Sequence, residues 1–178
     1  QSLTIPIPTR YVSVTSPPTP QIHPQSFFFD FVAVDGSADE KEQVKGLLEA
    51  KAPTLNQRLR LYEEFASLPA ASDLKLNTTS SMTFALQTGY NVVSLSGHGY
   101  PGGCCRVDSL FLPSYGLASD NGFVYADSCS TNLFDGDAIS EQLVRGQNGA
   151  VAYLGNSRFS WIGHGAELER AFWSALRG

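Results

Sequence analysis

Two side chains in this sequence have the chemistry and the setting for covalent catalysis, the imidazole of His98 and the thiol of Cys129. His98 lies between Gly97 and Gly99, directly after the apolar run at residues 92–95. Cys129 follows a second apolar run at residues 123–126 and precedes polar, turn-forming residues. A thiol beside an imidazole can act as a nucleophile with a general base, so we interpret the pair as a candidate hydrolase site.

The two apolar runs predict buried strands, each of which releases one reactive side chain at its carboxyl end. In an open α/β sheet, ligands and catalytic residues collect at the edge where parallel strands end. If the two strands are parallel neighbours, His98 and Cys129 meet at that edge. Gly99 then has a second use, because its backbone N–H can face a developing oxyanion without a side chain to crowd the reacting carbonyl.

Strands alternate with helices along the rest of the chain. This order predicts an α/β fold, a three-layer α/β/α sandwich with a mostly parallel sheet and helices on both faces. The other predicted strands cover residues 27–34, 57–65 and 149–154. The predicted helices run from Ser37 to Pro53 and over residues 78–88, 135–146 and 165–176. Gly89 is predicted to end the second of them. The last helix is predicted to face inward with Leu168, Ala171, Phe172 and Leu176.

Composition predicts one globular domain with an appended segment. Six prolines within residues 1–26 predict an extended, irregular lead-in arm, and residues 27–178 form the catalytic domain. Gln1 rather than Met at the start indicates a trimmed or processed chain. A net charge of −5 without a basic run argues against a nucleic-acid partner, and the lack of a long apolar run argues against membrane insertion.

Several residues admit a second interpretation. His98 alone would be an ordinary loop residue, and Cys129 alone a buried structural thiol. Cys104 and Cys105 are adjacent, and could be oxidised to each other or to Cys129. Their spacing from His98 does not fit a zinc site, so we expect no metal ion and no cofactor. Nearby serines suggest a serine hydrolase, but the Gly-x-Ser-x-Gly pattern is absent. His164 also lies between glycines, and we interpret it as a loop residue.

The order strand, Gly-His-Gly, strand, Asp-Ser-Cys, helix, Gly-Ala-Val-Ala resembles the core of the gingipain-like cysteine peptidases, which are relatives of caspases, legumains and separases. The similarity extends over about residues 27–175, and residues 137–158 carry its most specific part. The resemblance implies a caspase-like fold, with His98 as general acid/base and Cys129 as nucleophile. It also implies that the N–H groups of Gly99 and Cys129 hold the oxyanion.

The resemblance further implies a protein or peptide substrate and a secreted or cell-surface location. It suggests that Trp161 walls the pocket for the residue before the scissile bond, or else is a buried aromatic anchor. An acidic residue in the loop after the first strand would select a basic substrate residue, and Asp35 and Asp39 are the candidates here.

The chain departs from the family at Ser128, where a small apolar residue is usual. The adjacent Cys104 and Cys105, and a chain shorter at both ends than is usual in the family, leave an alternative open. It is a catalytically silent, caspase-like binding or processing module of a larger secreted protein.

Overall fold

A parallel six-stranded sheet lies at the centre of the protein in a computed structural model. The structure describes residues 27–33, 38–51, 55–62, 74–75, 82, 86–87, 89–110, 112 and 122–175. The predicted lead-in arm over residues 1–26 lies outside the described residues. The described elements are β1 (Phe27–Ala33), α1 (Ala38–Lys51), β2 (Leu55–Tyr62), β3 (Leu74–Lys75), β4 (Val92–Ser96), β5 (Gly99–Tyr100), β6 (Gly103–Cys104), β7 (Val107–Asp108), β8 (Phe123–Asp127), α2 (Ile139–Arg145), β9 (Ala152–Gly155) and α3 (His164–Ala175).

The strands of the large sheet follow the order β3-β2-β1-β4-β8-β9, and every neighbouring pair is parallel. The short strands β5, β6 and β7 form a separate antiparallel sheet that follows β4 directly. The prediction of an α/β fold with a mostly parallel sheet is confirmed.

Helices cover both faces of the sheet, which explains why the central strands are apolar along their whole length. On one face, α1 and α3 pack together over a cluster that contains Val44, Leu48, Tyr125 and Trp173. On the other face, Ile139 and Leu143 of α2 pack with strand residues and with the small β5–β7 sheet. Val44 and Leu48 of α1, and Ile139 and Leu143 of α2, are buried, whereas Val144 of α2 is exposed.

Only part of the helix predicted over residues 78–88 falls within the described residues. Met82 and residues 86–87 are helical, and Met82 and Leu86 are buried in the core. Gly89 has φ +76°, the left-handed conformation that glycine adopts after a helix end. The prediction that Gly89 ends this helix agrees with that conformation.

The inward face predicted for the last helix is wrong at Leu168 and Ala171. Phe172 packs against the core cluster as predicted, and Leu176 lies outside the described residues. Leu168 is 61% exposed and Ala171 is also exposed, whereas the buried residues of α3 are Ala166, Glu169 and Trp173. Glu169 faces inward although it is charged, because Lys41 of α1 is buried opposite it. His164, expected in a loop, is the first residue of α3.

A strand was predicted over residues 149–154 and is present as β9, but the prediction that it is buried is wrong. β9 begins at Ala152 and pairs with β8 on one side, and it is the last strand of the described sheet. Its side chains are exposed or half-buried, and Val151 just before it is 81% exposed. The apolar sequence of β9 is therefore compatible with the last position in the described sheet. A local hydrophobic pattern does not distinguish such a strand from a central one.

A buried ion pair joins the two helices on one face to the middle of the sheet. Lys41 of α1 donates to both carboxylate oxygens of Glu169 of α3, at 2.7 and 2.6 Å, and to the hydroxyl of Ser94 in β4 at 2.5 Å. The indole N–H of Trp173 also donates to Glu169, at 3.1 Å. Lys41 and Glu169 are fully buried, so their charges are compensated almost entirely by these contacts.

Glu169→Gln is expected to destabilise the fold by about 3–5 kcal/mol, because it leaves the Lys41 ammonium buried without a counter-charge. The free energy of unfolding in urea measures the effect. Glu49→Gln is the matched control, since Glu49 pairs with Lys45 at 3.0 Å on the exposed side of α1 and should contribute less than about 1 kcal/mol. Equal effects of the two substitutions would contradict the assignment.

Candidate active site

The carboxyl ends of β4 and β8 lie side by side at one edge of the sheet. The parallel register pairs Ser96 with Asp127, the last residue of each strand. Contact continues past the ladder, since the N–H of Gly97 donates to the carbonyl of Asp127 at 3.2 Å. The hydroxyl of Ser128 donates to the carbonyl of Gly97 at 2.8 Å. The two chains therefore stay together for at least one residue beyond the strands.

His98 and Cys129 each come two residues after the last paired position of their strands. Parallel neighbours lie roughly 4.8 Å apart and end at the same edge, so the register brings both residues to that edge. The side chain of His98 is exposed, and Cys129 is half-buried with a free thiol.

The glycines on either side of His98 have distinct structural roles. Gly97 has φ +149°, which a residue with a side chain rarely adopts. A Cβ on Gly99 would lie 2.1 Å from the Ser128 hydroxyl oxygen and 3.0 Å from the Cys129 carbonyl oxygen. Glycine at position 99 is thus required by contact with the Cys129 segment. The sequence analysis gave a different reason for a glycine at this position, namely space for the reacting carbonyl of a substrate.

The thiol of Cys129 contacts the backbone of Ser160, in the loop between β9 and α3. Its sulfur accepts from the N–H of Ser160 at 3.3 Å, and the thiol donates to the carbonyl oxygen of the same residue at 3.4 Å. The two contacts hold the thiol against the backbone of that loop. The sequence analysis did not identify Ser160.

Asp127 holds that loop in place. The hydroxyl of Ser160 and, at 3.5 Å, the side-chain amide of Asn156 both donate to Asp127 Oδ1. The same amide also donates to the carbonyl of Ser128, at 3.4 Å. The sequence analysis did not single out Asp127, which is the last residue of β8 and lies two residues before Cys129.

Further contacts fix the loop against the segment after Cys129. The N–H of Ser130 donates to the carbonyl of Arg158 at 2.7 Å, and that of Asn132 to the carbonyl of Asn156 at 3.1 Å. Arg158 also pairs with Asp135, at 2.7 Å. The loop therefore takes a defined course beside the thiol.

The three predicted substrate-binding residues have different outcomes. Trp161 is 70% exposed and directly follows Ser160, so the alternative of a buried aromatic anchor is wrong. Asp35 lies outside the described residues. Of Asp39 only the backbone is described, in the first turn of α1.

Negative charge accumulates on the α1 side of this edge. Burial, followed by the charge of Asp127, raises the pKa of Glu40, which is the third residue of α1. Burial also raises the pKa of Tyr125 in β8, with Glu169 and Asp127 adding to the effect. The charge of Asp127 thus contributes to the raised pKa of both groups.

Cys104 and Cys105 are both buried, and none of the three cysteines forms a disulfide in this structure. Hydrogen bonds lower the pKa of Cys104, above all the one from Cys105 and then one from Ser128, the neighbour of Cys129. Within the described part of the chain, no three His, Cys, Asp or Glu side chains are grouped to hold a metal ion. No described helix is long and apolar enough to cross a membrane.

A sequence profile of Peptidase family C25 matches residues 23–178. No curated protein sequence matches the chain significantly. Among solved structures, the complex of Porphyromonas gingivalis RgpB pro- and mature domains is similar, with a TM-score of 0.62 and 12% identity over 86% of this chain. The structure of the Arg-specific cysteine proteinase gingipain R (RgpB) gives a TM-score of 0.59 and 14% identity over 81% of this chain.

The matched regions cover 38% and 34% of those two structures, so the chain spans little more than a third of their length. At such low identity these likenesses establish the fold, which agrees with the parallel sheet described above. The family assignment comes from the profile, which covers nearly the whole chain. The chain belongs to peptidase family C25, the gingipain-like family of cysteine peptidases.

Proposed function

We propose that this chain is the catalytic part of a cysteine endopeptidase, with Cys129 as nucleophile and His98 as general acid/base. The observation that carries the proposal is the parallel pairing of β4 and β8, which delivers an imidazole and a free thiol to the same edge. Membership of peptidase family C25 supports the same chemistry.

In the proposed reaction, the Cys129 sulfur attacks the carbonyl carbon of a peptide bond and the thiol proton passes to His98. The backbone N–H groups of Gly99 and Cys129 stabilise the resulting oxyanion. His98 then protonates the leaving amine as the C–N bond breaks, which leaves a thioester on Cys129. Water hydrolyses the thioester and restores the thiol.

The proposed substrate is a protein or peptide, cleaved after a basic residue. The exposed ring of Trp161, one residue from the Ser160 contact with Cys129, supports its role as a pocket wall. Asp35 and Asp39 are the acidic residues that the family resemblance suggests for the basic side chain. The same resemblance is the basis for proposing a secreted or cell-surface location.

Cys129→Ala is expected to abolish labelling by a peptidyl acyloxymethyl ketone probe and to lower kcat/KM by at least about 10⁴-fold, as loss of a nucleophile does. Mass spectrometry of the labelled protein should place the single modification on Cys129. Ser157→Ala, in the same loop as Ser160, is the control and should keep its labelling. Absence of labelling in the wild type would favour the silent binding module instead.

His98→Gln is expected to lower kcat/KM by about 10²–10⁴-fold, because the leaving amine loses its proton donor. The matched control is His164→Gln, since His164 is also exposed and lies between two glycines, at the start of α3. Peptide hydrolysis measured on both variants separates the two histidines. Comparable losses in the two variants would remove His98 from the proposed mechanism.

Gly99→Ala is expected to lower activity and to destabilise the fold by about 1–3 kcal/mol, because its Cβ would overlap the Ser128 hydroxyl and displace the Cys129 segment. Gly46→Ala should have the opposite effect on stability, since nothing lies within 4 Å of a Cβ at that helical position. Thermal unfolding and peptide hydrolysis report the two effects. A fully active Gly99→Ala variant would contradict the tight contact with Cys129.

A further inference from the structure

The hydroxyl of Ser128 contacts both glycines that flank His98. It donates to the carbonyl of Gly97 at 2.8 Å, and a Cβ on Gly99 would lie 2.1 Å from its oxygen, so the hydroxyl lies directly beside the Gly99 backbone. Ser128 is fully buried, so solvent does not compete for these contacts. Because Ser128 also precedes Cys129 directly, its side chain joins the segment of one candidate catalytic residue to the segment of the other.

The backbone around His98 needs such a contact to have a single conformation. Glycine is conformationally permissive, and Gly97 has φ +149°. The carbonyl of Gly97 belongs to the same planar peptide group as the N–H of His98. The hydrogen bond from Ser128 therefore fixes the orientation of the peptide group from which His98 continues.

Ser128 is itself held in place by two other side chains. Its carbonyl accepts from the hydroxyl of Thr131 at 3.3 Å and from the side-chain amide of Asn156 at 3.4 Å. Thr131 is fully buried as well. The hydroxyl of Ser128 is thus attached to a backbone position that is already fixed, so it restrains the loop at residues 97–99 and does not simply move with it.

The adjacent cysteines contact the same loop. Cys104 is paired with Gly99 in the ladder between β5 and β6 and forms a hydrogen bond with Ser128, while Cys105 donates to the carbonyl of Ser96 at 3.4 Å. A hydroxyl carries one proton, and that of Ser128 is already used, so the neutral Cys104 thiol is the donor to the Ser128 oxygen. Two cysteines that the sequence left without a structural role therefore support the segment before and after His98.

We propose that Ser128, supported by Cys104, is a positioning residue that holds His98 where it can protonate the leaving amine of a peptide bound at Cys129. The inference rests on the proposed peptidase function. It assigns a role to the position at which the chain departs from the small apolar residue usual in its family.

The test compares two substrates that share the acyl part of a peptide that the wild type cleaves, followed by either glycinamide or p-nitrophenolate. Both reactions require the thiol proton to leave Cys129, but only the amine must receive a proton from His98 as it departs. In Ser128→Ala, the ratio of the two kcat/KM values, amide to ester, is expected to fall about 3- to 10-fold, the effect of one neutral hydrogen bond.

Ser140→Ala is the matched control, because Ser140 is a buried serine of α2 and should leave the wild-type ratio unchanged. Equal losses on the two substrates in Ser128→Ala would show that the hydroxyl only stabilises the fold. That result, or an unchanged ratio, would overturn the proposal and leave the peptidase function intact. A wild type that cleaves no peptide and is not labelled at Cys129 would overturn both.

A second pair of variants tests the contribution of Cys104. Cys104→Ser keeps a donor toward Ser128 and should retain the wild-type ratio of amide to ester hydrolysis. Cys104→Ala removes the donor and should lower the ratio about 2-fold, because a thiol is a weak donor. Equal ratios in the two variants would overturn the role of Cys104.

Discussion

The parallel hydrogen-bonded ladder between β4 and β8 is the constraint on which the rest of the structure depends. Its register sets Ser96 opposite Asp127. Hydrogen bonds from the Gly97 N–H to Asp127 and from the Ser128 hydroxyl to Gly97 keep the two chains aligned beyond the strands. A shift of one residue would move every side chain of a strand to the opposite face. Because both faces of these strands are buried under helices, such a shift is strongly opposed.

The face covered by α1 and α3 differs from the other face because it contains charge. The Lys41–Glu169 pair reaches into the sheet through Ser94, and Trp173 completes the hydrogen bonds of the carboxylate. Buried pairs of this kind contribute little net stability, but removal of one partner is costly. Asp127 lies at the end of this same face.

The loop between β9 and α3 links the edge of the sheet to the candidate nucleophile. Ser160 contacts the Cys129 sulfur with its backbone and Asp127 with its hydroxyl. Backbone hydrogen bonds to the segment after Cys129 support the loop on its other side. The setting of the thiol is thus determined by three segments together, the end of β8, the turn after it and the loop before α3.

The sequence by itself determined the fold class, most of the strands and helices, and the two strand ends that carry His98 and Cys129. Apolar runs that end in glycine or polar residues are local signals, and they report local conformation reliably. The gingipain-like resemblance of the Gly-His-Gly and Asp-Ser-Cys motifs also came from the sequence, and the family profile confirms it.

Only the tertiary structure decided which way α3 faces, that β9 is the last strand of the described sheet, why Gly99 must be glycine, and that Asp127 and Ser160 contact each other beside Cys129. Each of these depends on a partner far away in the chain. Glu169 faces inward because Lys41, 128 residues before it, is buried opposite. Ser160 reaches Cys129 across 31 residues and Asp127 across 33. Periodicity and propensity describe a residue's near neighbours, so contacts of this range appear only once the strands have been aligned.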